Sequence, residues 1–307
     1  MKIPKQILVV VSGRHAEHPA LERALKFAQF NDVHIHLFNS IYEPVMELTD
    51  VLSSDHRKAL KRQYMADRHL YMETLADELQ KQGINSTIHV VWHRELHEAI
   101  EQAVDEIAPD LVIKRISADA SSTNPFTMPV DRHLIRYCKV PLLLIKDAEW
   151  QNKTILAAID PNAQDEAHKT LNRDILDYAR MISHTTESDF HTVNSYIVPT
   201  LMPVMGMGYI DVDFDRIRRD TIDSHESKIE ALLSECDLSH IPSHVIEGAP
   251  DEATPELADK LGTQLVILGT VGRTGLSAAF IGNTAEHILA NLNCDILTLS
   301  AGVDFGD

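Results

Sequence analysis

Cysteine is scarce in this chain: Cys138, Cys236 and Cys294 are the only three, and no CxxC or CxH pair occurs. So sparse and odd a count excludes a disulfide framework and fits a reducing compartment. Cations are also short, with 28 Lys and Arg against 46 Asp and Glu, a formal charge of −18. Nucleic-acid affinity rests largely on cations that neutralise phosphates, so direct nucleic-acid binding is not expected. No apolar run approaches the roughly 20 residues of a membrane-spanning helix. The basic start runs into only five apolar residues, Ile7 to Val11, before Ser12-Gly13-Arg14. That is too short for a signal peptide, and the expected location is the cytoplasm. Glycine is missing unevenly: of twelve, only Gly13 and Gly83 precede residue 150.

What is present suffices for two cores. The chain has 307 residues, 44% of them hydrophobic and 24% charged. At roughly 100–200 residues per domain, two domains are expected. The text of the chain repeats itself. Gln6-Ile7-Leu8-Val9-Val10-Val11-Ser12 returns as Thr154-Ile155-Leu156-Ala157-Ala158-Ile159-Asp160, and His89-Val90-Val91 as His244-Val245-Ile246. Asp110-Leu111-Val112-Ile113-Lys114 returns as Gln264-Leu265-Val266-Ile267-Leu268, and Cys138 finds its counterpart in Cys294. The offsets are 148, 155, 154 and 156 (154 − 6, 244 − 89, 264 − 110, 294 − 138), a drift that loop insertions produce.

Each half alternates short apolar runs with helical patterns. In the first half the runs lie near 6–12, 33–39, 86–92, 110–115 and 141–146; in the second near 154–160, 188–195, 241–247, 264–269 and 295–300. Runs rich in Val, Ile and Leu suit parallel strands covered on both faces. Intervening segments such as Ala20-Leu21-x-x-Ala24-Leu25-x-x-Ala28, a long one over 53–82, and those near 165–183, 213–236, 252–261 and 283–292 carry helical spacing. Strand–helix–strand alternation implies right-handed crossovers. The fold class is therefore α/β, with two tandem doubly wound five-stranded parallel sheets over residues 1–147 and 153–307. The tether Asp147 to Lys153 is short, so the halves are expected to pack as a pseudo-dimer within one chain.

One segment carries chemistry. The apolar strand Val266-Ile267-Leu268 runs into Gly269-Thr270-Val271-Gly272-Arg273-Thr274-Gly275, and a helix is expected from Gly282-Asn283-Thr284-Ala285-Glu286. Glycines let backbone N–H groups approach an anion, and a helix N-terminus adds unpaired donors. Asn283 is a good N-cap with Glu286 three residues on. Arg273, Thr270 and Thr284 offer further donors. The spacing is not that of a P-loop, and the loop follows the fourth strand rather than the first, unlike the Rossmann fingerprint. Phosphate binding and a plain chain turn both remain readings of these residues.

At this loop the chain resembles the universal stress protein family, whose ATP-binding members carry Gly-x2-Gly-x9-Gly-Ser/Thr after the fourth strand. Gly269, Gly272 and Gly282 match that spacing; Asn283 stands where Ser or Thr is expected, with Thr284 next. The resemblance extends over the whole chain and implies the fold already read, and a nucleotide ligand, ATP with or without magnesium, with no cofactor required. It implies that Asp160, after the first strand of the second half, contacts the adenine, and that Ser195 and Tyr196 line the base pocket. The first half departs: its fourth strand leads into Lys114-Arg115-Ile116-Ser117-Ala118 without glycine, and its first strand ends in Ser12-Gly13 without the Asp. It is not expected to bind ATP in that manner. No general base or Walker-type metal ligand is evident, so any hydrolysis is expected to be slow.

Other constellations are weaker. His89, His93 and His97 are spaced by four, but His89 falls in an expected strand, which argues against a shared metal ion. His34 and His36 alternate along one strand and share a face. Leu201-Met202-Pro203-Val204-Met205-Gly206-Met207 is a methionine-rich loop suited to irregular apolar partners. A scaffold that binds a protein or a lipid-like ligand is therefore the alternative function. Exposed edges of the fifth strands offer a route to homodimers.

Overall fold

A computed structural model describes residues 3–13, 18–29, 32–47, 53–116, 130–146, 150, 153–198, 213–270, 288 and 291–300. The chain divides after Trp150 into two compact units. The first runs β1 (Gln6–Val10), α1 (Pro19–Ala28), β2 (His34–Ile41), α2 (Ser54–Lys81), β3 (Asn85–Trp92), α3 (Leu96–Ile107), β4 (Leu111–Arg115), α4 (Val130–Tyr137) and β5 (Leu142–Ile145). The second runs β6 (Ile155–Ala158), α5 (Glu166–Thr186), β7 (Phe190–Tyr196), α6 (Phe214–Glu235), β8 (Ser243–Glu247), α7 (Pro250–Leu261), β9 (Leu265–Thr270) and β10 (Asp295–Ser300). The helix expected over 283–292 falls largely outside the described residues, of which Ile288 and Leu292 are buried.

Within the first unit the strands lie in the order β3-β2-β1-β4-β5, all parallel. The second unit repeats it as β8-β7-β6-β9-β10, again all parallel. This is the doubly wound α/β architecture that the alternation of elements implies. The central strands are continuous apolar runs because helices cover both faces. Ile7, Leu8 and Val9 of β1, Val112 and Ile113 of β4, and Ile155, Leu156 and Ala157 of β6 have no exposed surface. Helix α1 packs on β1 and β4, and α5 on β6 and β9. The faces they offer are apolar at helical spacing: Ala20, Leu21, Ala24 and Phe27 in α1; Leu171, Ile175, Leu176, Ala179 and Ile182 in α5.

Caps set the helix ends. The side chains of Ser53, Asp165 and Asp213 accept the His56, His168 and Arg216 N–H groups at the starts of α2, α5 and α6. Helices α3 and α7 both end on a left-handed residue, Ala108 (φ 50°) in the first unit and Gly262 (φ 62°) in the second. Glycine takes that conformation freely, whereas a Cβ is strained there by about 1–2 kcal/mol. The repeat thus solves one turn twice, once with strain. Ala108→Gly is expected to stabilise the first unit by about 0.5–1 kcal/mol, the relief outweighing the added freedom of the unfolded chain. A higher urea midpoint at unchanged slope is the measurement.

Candidate functional site

The strand order reverses between β6 and β9 in the second unit, and ligands of open α/β sheets bind beyond the carboxyl ends of strands at such a point. Register decides which residues meet there. Ile155 of β6 lies opposite Phe190 of β7 and Leu265 of β9. Carried five residues on (155 + 5, 190 + 5, 265 + 5), those steps put Asp160, Ser195 and Thr270 on one row at the mouth of the sheet. Residues 35 and 110 positions apart in the chain are thereby brought level. Of the other expected ligand residues, Gly269 lies beside them, while Gly272, Arg273, Gly282, Asn283 and Thr284 lie outside the described residues.

Asp160 is exposed, and its backbone is held on both sides by the buried Asn172 of α5. The Asp160 N–H donates to Asn172 Oδ1 at 3.0 Å, and Asn172 Nδ2 donates to the Asp160 carbonyl at 2.7 Å. Asp160 Oδ1 accepts the Asn162 N–H at 2.9 Å, an Asx turn that fixes the carboxylate at the strand exit. Around it runs a polar chain. Lys228 Nζ donates to Asn162 Oδ1 (2.6 Å), Asn162 Nδ2 lies 3.0 Å from His225 Nε2, and His225 Nδ1 lies 2.6 Å from Asn194 Oδ1. Asn194 Nδ2 closes it on the Ile159 carbonyl (3.0 Å). With Nε2 accepting from Asn162, His225 is a neutral imidazole that donates from Nδ1. Its pKa is lowered, first by burial and then by the Lys228 charge.

Gly269 and Thr270 have structural tasks of their own. A Cβ on Gly269 would stand 2.5 Å from Leu171 Cδ2 and 3.1 Å from its Cγ, so a side chain here must displace Leu171 of α5. Thr270 is 2% exposed, and its hydroxyl lies 3.2 Å from the Leu299 carbonyl and 3.0 Å from Ser300 Oγ. That hydroxyl is spent within the sheet rather than held out as a phosphate donor.

The first unit builds the same frame with a different mouth. Ile7 pairs Ile35 and Leu111, and five residues on the equivalent row reads Ser12, Ser40 and Ile116, without a carboxylate. Asn39 Nδ2 donates to the Val11 carbonyl at 2.5 Å, the counterpart of Asn194 on Ile159. Arg115 stands in the place of Gly269. Before it, Lys114, 1% exposed, donates from Nζ to Asp131 Oδ1 at 2.7 Å in the first turn of α4. A buried carboxylate at a helix start thus already meets a buried cation where the second unit carries the apolar Leu268.

Reading from sequence missed Asn162, Asn172, His225, Lys228 and the paired asparagines. One signal was available: His36-Leu37-Phe38-Asn39-Ser40 and His191-Thr192-Val193-Asn194-Ser195 share H-x-x-N-S at an offset of 155 (191 − 36). Its histidines pair as well. His36 Nδ1 lies 3.0 Å from His89 Nε2, and His191 Nδ1 lies 2.9 Å from His244 Nε2. His93 turns instead to the Glu95 backbone, and His97 lies against the His133 ring at a tilt, so the four-residue spacing gathers no common site. Among the described residues, no group of three or more His, Cys, Asp or Glu is arranged to hold a metal ion.

The protein-family model described as the universal stress protein family matches residues 4–146 and 197–300. The first match spans all five strands of the first unit and the second runs from α6 to β10, together well over half of the chain, and the chain belongs to the universal stress protein family. It is 32% identical over 306 residues to Universal stress protein E of Escherichia coli K12, covering 97% of this chain and 95% of that one. A Haemophilus influenzae homolog of Universal stress protein E is 30% identical, covering 95% and 96% of the two chains. A crystal structure of a Pseudomonas aeruginosa PAO1 protein of unknown function superposes with a TM-score of 0.74 at 27% identity, covering 97% of this chain and 93% of that one. The tandem two-domain form of the family, a stress-response family, is thus the class in which the chain stands. Among the described residues, no helix is long and apolar enough to cross a membrane.

Two measurements probe this frame. Gly269→Ala is expected to cost about 1–3 kcal/mol of stability, because the new methyl must displace Leu171 in a packed core. A urea midpoint indistinguishable from wild type contradicts that packing. The histidine pairs predict acid sensitivity. Burial, then His34 and His89, lower the His36 pKa from 6.5 to about 4, and burial first of all lowers His89 and His244. Above pH 6.5 folded and unfolded chains both hold His36 neutral; between 6.5 and about 4 only the unfolded chain takes up the proton. Stability is therefore full above 6.5 and falls toward pH 4. Urea midpoints of wild type and His36→Gln across that range should converge on acidification, since the glutamine has no proton to gain.

Proposed function

We propose that the second unit binds an adenine nucleotide, ATP, at the carboxyl ends of β6, β7 and β9, and that the protein acts as a cytoplasmic stress-response regulator through that ligand. The observation that carries the reading is the row Asp160, Ser195 and Thr270, at the strand-order reversal and one residue past Gly269. Asp160 there is exposed, fixed by Asn172 and Asn162, and free at one carboxylate oxygen to accept an exocyclic amine. The Gly269, Gly272 and Gly282 spacing supports phosphate binding beyond the end of β9, with backbone amides of the loop and the Arg273 cation as the donors. Thr270 contributes its backbone, since its hydroxyl serves β10. Binding rather than turnover is the proposed action, with magnesium carried on the triphosphate.

Equilibrium binding of labelled ATP to the wild type and to Gly272→Glu tests this. A carboxylate placed in the loop should weaken binding by about tenfold or more, through repulsion and loss of the close backbone approach. Equal affinities reject the loop as the phosphate site, and absence of any binding to wild type rejects the nucleotide.

A further inference from the structure

Helix α2 is longer than the sheet it flanks. Its 28 residues span about 42 Å, whereas the eight residues of β3 span about 26 Å. Only Met72, Leu75 and Leu79, all in its C-terminal third, are buried. The N-terminal part runs on past the sheet with Arg57, Lys58, Lys61, Arg62 and Arg68 against Asp55 and Asp67, a net +3 in a chain of −18.

Ser54, Arg57, Lys58 and Lys61 follow one another at the i, i+3, i+4, i+7 spacing of a single helix face. That face, with Met46 of the short turn Pro44–Glu47 and Trp92 at the carboxyl end of β3, lines an open surface hollow of about 240 Å³. Lys61 Nζ lies 5.2 Å from the Trp92 ring centroid. Arg57 Nε is buried without a hydrogen-bond partner. The nearby Glu47 carboxylate engages Arg94 instead, at 3.5 Å. Among the described residues, none of Arg57, Lys58 and Lys61 has a carboxylate partner. Three uncompensated cations around one hollow repel one another, and a buried guanidinium N–H left unpaired is unfavourable. An anion resolves both.

We infer that this open hollow of the first unit is a binding site for a compact organic phosphate, with the phosphate among Arg57, Lys58 and Lys61 and its planar or apolar substituent against Trp92 and Met46. Arginine and lysine together match a phosphate dianion by fork and point charge. The volume lies below that of ordinary drug-sized pockets, which sets the limit on the substituent. The site is built from α2 and β3 and shares no residue with the proposed nucleotide site of the second unit.

Calorimetric titration with phenyl phosphate at low salt tests the inference on the full-length wild type, on Arg57→Gln/Lys61→Gln and on Gly272→Glu. Lys61 is exposed and Arg57 half-buried outside the apolar core, and far-ultraviolet dichroism verifies that the double variant keeps its fold. Saturable binding that the double variant weakens by about tenfold or more, and that Gly272→Glu leaves intact, is the expected result. A parallel flotation with phosphatidylcholine vesicles, with and without phosphatidate, separates a lipid-borne phosphate from a free monoester; dependence on Arg57 and Lys61 supports the site in either arm. No saturable binding to either probe, or binding that the double variant leaves unchanged, overturns it.

Discussion

The central strands β1, β4, β6 and β9 are buried on both faces, and that burial fixes where everything else can stand. A one-residue slip in such a strand reverses every side chain between two packed layers, so the register is strongly specified. That register, continued past the end of β6, brings Asp160 level with Ser195 of β7 and Thr270 of β9. The row is a consequence of core packing. What its members can then do depends on the loops and helices that meet at the strand ends.

The two units share that frame and diverge at the mouth. An asparagine from the second strand braces the exit of the first in both, Asn39 on Val11 and Asn194 on Ile159. Both also place a histidine pair diagonally between second and third strands. At the exit itself the units part. The second presents Asp160 and a glycine against which α5 packs closely; the first presents Ser12 and Arg115, with a Lys114–Asp131 pair buried behind. A buried pair is held as a unit, because removing one partner leaves an uncompensated charge in a medium of low dielectric. The first unit has therefore filled with its own charges the position that the second leaves apolar, and among the described residues the cations Arg57, Lys58 and Lys61 along α2 have no carboxylate partner.

Much of the architecture was legible in the chain. Apolar runs of Val, Ile and Leu mark strands buried on both faces, and the run from Gln6 recurring at Thr154 marks the duplication. The long helical segments α2 and α6 were placed from the chain near 53–82 and 213–236, while their Ser53 and Asp213 caps emerged with the structure. The site was legible only in part. Asp160 was singled out by the family resemblance, but its supports were not: Asn172 is twelve residues away, and His225 and Lys228 belong to another helix. Side chains that brace a backbone from a distance leave no periodic trace. Thr270 reads as a free hydroxyl in a glycine-rich loop, yet its neighbour in space is β10, some thirty residues on.

The sequence by itself determined the strand and helix succession, the doubling of the fold and the glycine spacing, because these rest on local periodicity and on backbone freedom at single residues. Tertiary structure alone decided which polar groups remain free. Gly269 proves to be closely approached by Leu171, Thr270 is committed to its neighbouring strand, and, among the described residues, Arg57, Lys58 and Lys61 are left without counter-charges around a hollow. The physical reason is that hydrogen bonding and charge pairing are saturable and act through space. Whether a donor is available depends on which partners the packing has already brought to it.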